Sequence, residues 1–261
     1  MKDGSSKEKQ SAAEDSRASR RPERAVRADG VSPAEGDEVR HPRRVRSFVR
    51  RPGRMTASQK AALESLLPRY GIDRSCDDLR SGFQRPAPLV LEIGCGNGQA
   101  LLWMAQNEPE LNFVGIEVHE PGVGRLLRGV AEGGLANVRV MMADAVEVLA
   151  ENCAPASLAG VRIYFPDPWP KKRHHKRRLI QPEFVQLVTE RLEPGGLLHL
   201  ATDWQPYAEW MLEVLAAAPD LENRGDPNVS RPSWRPRTHF EQRGQRKGHS
   251  ISDLLFRRRQ S

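Results

Sequence analysis

Residues 89–98 read LVLEIGCGNG, and this stretch decides the fold expected for the chain. A short, almost entirely apolar run is typical of a strand buried on both faces of a parallel sheet. Glycines at 94, 96 and 98 follow the run, and a stretch with helical spacing begins near Asn97. They permit a tight turn from strand to helix and let a ligand approach the backbone. Tight packing of strand on helix needs the same residues, so the loop alone leaves both readings open.

The rest of the chain alternates apolar runs with amphipathic stretches. Four more strands are predicted at 112–117, 138–143, 161–166 and 196–202, and further helices begin near Glu120, Asp144, Pro182 and Gln205. This alternation indicates a parallel sheet with helices on both faces. Two C-terminal segments, THFEQRG (238–244) and SISDLLFRR (250–258), are expected to form a closing hairpin.

The N-terminal part differs from this domain in composition. Residues 1–42 contain almost no large apolar side chains, so we expect a disordered, charged tail. The folded domain is expected at 43–261, and it begins with a basic arm, RVRSFVRRPGR (44–54), that docks a few apolar groups. Thr56 and Gln59 then have the spacing of a capping box and predict a helix that Pro68 ends.

Positive charge is concentrated in three segments. Residues 1–54 carry a net charge of +6, residues 171–178 carry +6, and residues 231–261 carry +7. Because the whole chain carries +7, the remainder carries −12. An acidic body with three basic segments favours a polyanionic partner. The alternative for each segment is an ordinary solvated surface.

Several classes of protein and site are disfavoured. Three cysteines without C-x-x-C spacing support neither a disulfide framework nor a zinc site, and His174 and His175 lack the neighbours of a metal site. No apolar run is long enough to cross a bilayer, and the N-terminal residues lack a signal-peptide pattern. We therefore expect a cytoplasmic protein without a metal or a membrane span.

Acidic residues stand in or directly after the first three predicted strands. Glu92 lies within the first strand, Glu117 ends the second, and Asp144 follows the third. Glu117 lies 19 residues after Gly98, where a carboxylate can accept both hydrogen bonds of a ribose diol. Asp144 also suits a helix N-cap, and it could serve as cap and ligand contact together. Three carboxylates would repel a pyrophosphate, so the pattern favours the cation S-adenosylmethionine over NAD.

The fourth strand runs into FPDPWP (165–170) and then KKRHHKRR (171–178). Each proline fixes its own φ and biases the preceding residue towards extended backbone, so Asp167 is expected to be held rigidly. The fifth strand ends in Thr202-Asp203-Trp204, which would place Asp203 beside Asp167 and two indoles near one pocket. The indoles suit base stacking or a core equally. The basic run suits phosphate contacts.

Six segments carry a family resemblance. LEIGCGNG, FVGIEVHEPGVG, ADAVEVL, FPDPWPKKRHHKRR, LATDWQPYAEWMLEV and RPRTHFEQRGQRKGHSISDLLF, in this order, resemble the bacterial tRNA (guanine-N7-)-methyltransferases from about Arg43 to Arg258. The resemblance implies a Rossmann-like class I fold, with a mostly parallel seven-stranded sheet, helices on both faces and a C-terminal antiparallel strand. It also implies methyl transfer from S-adenosylmethionine to N7 of guanine at position 46 in the variable loop of tRNA.

The resemblance further implies a set of site residues. The cofactor positions are Glu92, Gly94, Gly96, Gly98, Glu117, Asp144 and Asp167, and Asp167 is also the expected catalytic residue. The substrate positions are Lys171, Asp203, Thr238, His239, Phe240 and Glu241. The RNA-contacting positions are Arg173, His174, His175, Lys176, Arg177 and Arg178. His239 stands where the family more often has lysine, which puts a charge at that position in doubt.

Two other functions are also compatible with the sequence. A methyltransferase for a small molecule or another RNA would use the same sheet and acidic pocket, although a small-molecule enzyme would leave the basic segments unexplained. A non-catalytic RNA-binding protein would explain the charge but not the intact glycines and acids. We expect a monomer with tRNA as partner and no obligate protein partner.

Overall fold

One seven-stranded sheet forms the centre of the computed structural model, which describes residues 47–48, 54–225 and 231–260. The strands are β1 (Leu89–Ile93), β2 (Asn112–Ile116), β3 (Val138–Met141), β4 (Leu158–Tyr164), β5 (Leu192–Thr202), β6 (Leu221–Asn223) and β7 (Ser252–Arg258). Their order across the sheet is β3-β2-β1-β4-β5-β7-β6, and β7 runs antiparallel to both of its neighbours. The predicted mostly parallel sheet with a C-terminal antiparallel strand is confirmed. The tail expected at 1–42 lies outside the described residues.

Helices cover both faces of the sheet. The α-helices are α1 (Ala57–Tyr70), α2 (Gln99–Asn107), α3 (Glu120–Glu132), α4 (Ala145–Glu151), α5 (Pro182–Arg191), α6 (Gln205–Ala216) and α7 (His239–Arg246), and short 3-10 helices span Leu79–Gly82 and Lys172–Arg177. Along β1, Leu89, Leu91 and Ile93 pack with α4, α5 and α6, whereas Val90 packs with α1, α2 and α3. This alternation follows from the period of two in a strand.

The helix predicted after Thr56 begins as expected but ends later. The Thr56 hydroxyl accepts from the Gln59 N–H at 3.2 Å, and the Thr56 N–H donates to Gln59 Oε1 at 2.8 Å, which completes the capping box. The prediction that Pro68 ends the helix is wrong, because α1 continues to Tyr70. Proline cannot donate to the carbonyl four residues earlier, but its fixed φ is close to the helical value, so the two residues after it can stay helical.

The predicted closing hairpin is also wrong. THFEQRG forms the cap and most of α7, and the Thr238 hydroxyl accepts from the Glu241 N–H at 3.3 Å. Thr-x-x-Glu is the sequence signature of a helix N-terminus, and it outweighed the β-propensity of the isolated Thr and Phe. The second segment does form a strand, β7, but its partners are β5 and β6.

The sheet topology fixes where a ligand would bind. The chain places β2 and β3 on one side of β1 and then returns to place β4 and β5 on the other side. The loops that leave β1 and β4 therefore diverge at the carboxyl end of the sheet, and open α/β sheets bind ligands at such a switch point. No helix in the described part of the chain is long and apolar enough to span a membrane.

Candidate active site

A cavity of about 220 Å³ lies at this switch point. Segments that follow four adjacent parallel strands supply most of its wall, together with two residues of the N-terminal arm. Its lining residues are Ser47, Phe48, Ile93, Gly94, Ile116, Glu117, Val118, Ala143, Asp144, Ala145, Tyr164, Phe165, Pro166, Asp167 and Leu179. The structure therefore brings together Gly94, Glu117, Asp144 and Asp167, which the sequence analysis predicts as cofactor positions.

The three glycines of the loop after β1 have two different roles. All three adopt left-handed backbone, with φ of 72° at Gly94, 57° at Gly96 and 77° at Gly98. A Cβ built on Gly94 or Gly96 would meet open space, whereas one on Gly98 would lie 2.3 Å from Leu126 Cδ1. Gly94 and Gly96 thus leave room for a ligand, and Gly98 lets α3 approach the loop. Both readings of the glycine pattern apply, at different positions.

Backbone groups hold two of the cavity carboxylates in place. Glu117 accepts from the Gly96 N–H at 2.8 Å, the Val118 N–H at 2.7 Å and the His119 N–H at 2.9 Å. Asp144 accepts from the Val146 N–H at 2.9 Å, and it is the N-cap of α4. The Asp144 cap that the sequence suggests is therefore present, and the same side chain lines the cavity.

Glu92 lies within β1, directly before Ile93 of the cavity wall. It is 3% exposed, and its Oε2 atom finds no hydrogen-bond partner among the described residues. Burial raises the pKa of Glu92 to about 8, with Arg162 opposing this shift and Glu117 adding to it. A buried acceptor without a partner is rare and costs free energy unless a ligand or water satisfies it. The acceptor oxygens of Glu92, Glu117 and Asp144 together fit a cationic ligand that carries hydrogen-bond donors.

The turn after β4 differs from its predicted backbone geometry. Phe165 and Trp169 both precede prolines, and extended backbone was expected there, but their φ values are 54° and 43°. Such angles are genuine outliers for bulky residues and persist only where the surroundings enforce them. The Phe165 N–H donates to the Ala201 carbonyl at 2.7 Å, and its ring stacks on Phe240 with centroids 6.4 Å apart. Asp167 lies two residues further, in the cavity wall.

Neither predicted indole is among the residues that line this cavity. The Trp169 N–H donates to the Ser47 carbonyl at 3.2 Å, and the Arg177 guanidinium lies 5.1 Å from its ring centroid. Trp204 packs beside the core and meets His249 edge to face. The contact to Ser47 was not predicted, although Phe48, one of the expected apolar groups of the arm, does line the cavity.

Asp203 is directed towards α7. β4 and β5 are neighbours as predicted, with Tyr164 opposite Ala201. The Asp203 carboxylate lies 3.3 Å from His249 Nδ1, and a Cβ on Gly244 would lie 2.7 Å from Asp203 Oδ2. α7 therefore rests on this carboxylate, and Asp203 is not among the cavity residues.

The first turn of α7 reaches the rim of the cavity. The His239 N–H donates to Gln99 Oε1 at 2.9 Å, which ties α7 to the start of α2, and Phe240 is 55% exposed although it stacks on Phe165. Thr238 and Glu241 are buried. Of these four predicted substrate positions, two face outward and two face the interior. The Gln99 contact was not predicted, because nothing in its local sequence marks it.

The basic run at 171–178 also contains both exposed and buried side chains. Lys171, Lys172, Arg173 and Lys176 are exposed. Arg178 is only 4% exposed; it donates from Nε to the Pro168 carbonyl at 3.1 Å and stacks 4.8 Å over Tyr207. Burial lowers the pKa of Arg178. The expectation of an RNA contact at Arg178 does not fit this position, because the side chain turns inward to secure the Asp167 loop.

Comparison with known proteins identifies methyltransferases as relatives of this chain. A family model described as "Putative methyltransferase" matches residues 86–254. The tRNA (guanine-N(7)-)-methyltransferase of Alkalilimnicola ehrlichii is 56% identical over 223 residues, which cover 84% of this chain and 94% of that protein. The enzyme of the same name from Paraburkholderia xenovorans is 53% identical over 225 residues, which cover 85% of this chain and 86% of that protein.

A solved structure supports the fold. The 16S rRNA methyltransferase KamB superposes with a TM-score of 0.50 at 17% sequence identity, over 69% of this chain and 91% of that chain. At this identity the likeness concerns the arrangement of sheet and helices alone.

Glu92→Gln is expected to change how stability depends on pH. In the unfolded chain Glu92 loses its proton near its ordinary pKa of 4.5, whereas the folded protein keeps that proton up to about pH 8. Rising pH across this window therefore destabilises the ligand-free fold through Glu92, and glutamine removes the effect. Urea unfolding at pH 5, 7 and 9 measures the effect. Between pH 5 and pH 9 the free energy of unfolding of Glu92→Gln should rise by about 2–5 kcal/mol relative to that of wild type.

The exposed Glu110→Gln variant is the control, since its carboxylate lies in solvent. It should follow the wild-type pH dependence throughout. Parallel curves for Glu92→Gln and wild type would show that Glu92 is ionised in the fold.

Proposed function

The chain belongs to the family of tRNA (guanine-N(7)-)-methyltransferases, and we propose that it transfers a methyl group from S-adenosylmethionine to N7 of the guanine at position 46 in the variable loop of tRNA. The observation that carries this proposal is one continuous loop. Its first half puts Asp167 in a cavity at the switch point, and its second half is an exposed basic helix, Lys172–Arg177. The proposed reaction centre is thus joined directly to a surface that suits phosphate binding.

The residues of the cavity fit the proposed cofactor. Gly94 and Gly96 leave space over the loop, Glu117 suits a ribose diol, and Asp144 suits an adenine amino group or a ribose hydroxyl. The three carboxylates that line the cavity, Glu117, Asp144 and Asp167, favour a sulfonium cation and disfavour a pyrophosphate. When bound there, S-adenosylmethionine would supply an electrophilic methyl group.

The chemistry assigned to Asp167 follows from the base. N7 of guanine carries an in-plane lone pair, so it can attack a methyl group without losing a proton, and no strong general base is required. The base becomes cationic as the bond forms. A carboxylate held nearby stabilises that charge more in the transition state than in the ground state. Asp167 would orient guanine and stabilise its developing charge.

The basic helix would hold the tRNA backbone. Lys172, Arg173 and Lys176 are exposed, and Arg177 is fixed over Trp169, so the loop presents several cations to solvent. Charge-assisted contacts to phosphates give affinity and position but little sequence preference. A tRNA substrate also favours a cytoplasmic location. A small-molecule substrate would leave this helix without a role.

Labelled cofactor and tRNA transcripts test the function directly. The label should appear in 7-methylguanosine after nuclease digestion, and replacing the position-46 guanine by adenine should abolish incorporation. Incorporation that persists in the adenine transcript would assign another site. If the wild-type enzyme labels no tRNA, a small-molecule substrate is favoured instead.

Asp167→Asn is expected to lower kcat by ~10²–10³, because it removes the charge that stabilises the transition state. Cofactor affinity should fall less, since Glu117 and Asp144 remain. Single-turnover rates and calorimetric titration of the cofactor separate the two effects. The matched control is Asp220→Asn, an exposed carboxylate far along the chain. Near-normal turnover in Asp167→Asn would rule out the assigned role.

Replacing Lys172, Arg173 and Arg177 by alanine should weaken tRNA binding. It should also flatten the dependence of log K on log salt by about 0.7–0.9 for each phosphate that is no longer neutralised. Arg178→Ala is the contrasting variant: its slope should match wild type while its melting temperature falls, because that side chain is buried. Binding curves at four salt concentrations measure both slopes. Equal slopes for the triple variant and wild type would mean that the run is merely solvated surface.

A further inference from the structure

A buried chain of polar side chains lies behind the cavity wall, and we call it the Arg235 network. It consists of Glu241, Arg235, Asp253, His199 and Tyr164. The Arg235 side chain is fully buried, and those of Glu241, Asp253 and His199 are 5%, 8% and 2% exposed. None of these residues is needed by the chemistry assigned to Asp167. Their burial therefore requires another explanation.

Arg235 is the centre of the network. Its Nη1 donates to Glu241 Oε2 at 2.6 Å, its Nε donates to Asp253 Oδ1 at 2.6 Å, and its Nη2 donates to Asp253 Oδ2 at 2.8 Å. The fork of a guanidinium is suited to this two-sided contact, and a lysine ammonium is not. Glu241 belongs to α7 and Asp253 to β7, so Arg235 joins the two elements.

His199 completes the network as a neutral ring. The Trp234 N–H, which can only donate, lies 3.4 Å from His199 Nδ1, and the Tyr164 hydroxyl lies 3.1 Å from the same atom. Nδ1 is therefore the acceptor, and Nε2 carries the proton that it donates to Asp253 Oδ1 at 2.8 Å. Burial lowers the pKa of His199, in agreement with a neutral ring.

The network touches the reaction loop through the face of Arg235. The guanidinium carbon lies 5.7 Å from the ring centroid of Phe165 and 5.8 Å from that of Tyr164, and both residues line the cavity. Phe165 in turn stacks on Phe240 at the start of α7. The Arg235 guanidinium thus contacts Phe165, two residues before Asp167, and also anchors α7 through Glu241.

Stability alone does not explain this arrangement. Buried ion pairs often contribute no more than apolar groups of the same shape, because desolvation offsets their attraction. They do fix relative geometry, since each partner has few directions in which it can be satisfied. The elements fixed here are α7 and the Asp167 loop, which meet where Phe240 stacks on Phe165.

We propose that Arg235 is a positioning residue for methyl transfer. This proposal rests on the proposed function. Arg235 holds the first turn of α7 and the Phe165 turn in one alignment, so that a base between them meets Asp167. Glu241 then acts through Arg235 from inside the fold, instead of contacting the substrate as the family resemblance implies. Outward-facing His239 and Phe240 remain the substrate side of α7.

Arg235→Lys tests the proposal, because it keeps the charge and removes the fork. We expect kcat to fall ~10²-fold, as for a misplaced reacting group, while the tRNA dissociation constant and its salt slope stay at wild-type values. Hydrogen exchange should quicken in 239–246 and stay unchanged in β1 and β4. Glu241→Gln should lower kcat in the same direction, and the double variant should lose less than the product of the two single losses.

Val188→Ala is the control for stability. This residue is buried on the α4–α6 face, away from the network, and alanine leaves a cavity there. At temperatures where it and Arg235→Lys are equally folded, its kcat should match wild type. If Arg235→Lys does not fold, Glu241→Gln replaces it in every measurement.

Three results would overturn the proposal. They are a kcat of Arg235→Lys equal to that of Val188→Ala, a loss confined to tRNA affinity, and additive effects in the double variant. A failure of the proposed function is distinguishable, because wild-type protein would then label no tRNA, whereas the exchange of 239–246 can be read without activity.

Discussion

The left-handed turn at Phe165 is the constraint on which the site depends. β4 pairs with β5 up to Tyr164, and the next residue leaves the sheet with a φ of 54°. Such a conformation costs a large side chain about 1–3 kcal/mol. A hydrogen bond to Ala201, the ring of Phe240 and the face of Arg235 together hold it. Without that turn, the prolines would carry Asp167 onward along the strand and away from Glu117 and Asp144.

The sequence was a good guide to the sheet and a partial guide to the site. Apolar runs predict β1 to β5 because a strand buried on both faces has no other composition, and acids after those strands must meet at one edge. Glu117, Asp144 and Asp167 are accordingly found at one cavity. Side-chain direction is set by packing, which no local pattern encodes. Arg178 and Glu241 therefore turned inward, and Asp203 turned towards α7, against expectation.

Local signals also compete, and the hairpin shows how. Thr238-His239-Phe240-Glu241 contains residues common in strands, yet the Thr-x-x-Glu cap decides for a helix. The positive φ at Phe165 had no local signal, since the residue before a proline normally avoids it. Its cause lies in residues far along the chain, at 201, 235 and 240. The backbone conformation of such a residue can be predicted only once the fold is known.

Negative and positive charges lie at different depths in this protein as well as in different segments of the chain. Backbone N–H groups fix the cavity acids Glu117 and Asp144, and Glu92 is buried, whereas the cations of Lys172, Arg173 and Lys176 stand at the surface. Fixed carboxylates keep their positions as a ligand arrives, so little reorganisation accompanies binding. Surface cations instead act over a Debye length and guide a polyanion to the loop.

The place of β7 in the sheet has a consequence for folding. β6 pairs with β7, and β7 lies between β5 and β6, so residues 221–223 must await residues 252–258 before they join the sheet. Such pairings close long loops and form late. Asp253 enters with β7 and supplies the carboxylate that Arg235 grips. Arg235 can therefore align α7 only after β7 has joined the sheet, and a chain halted before that step would have its glycine loop, Glu117 and Asp144 but no support for the turn that places Asp167.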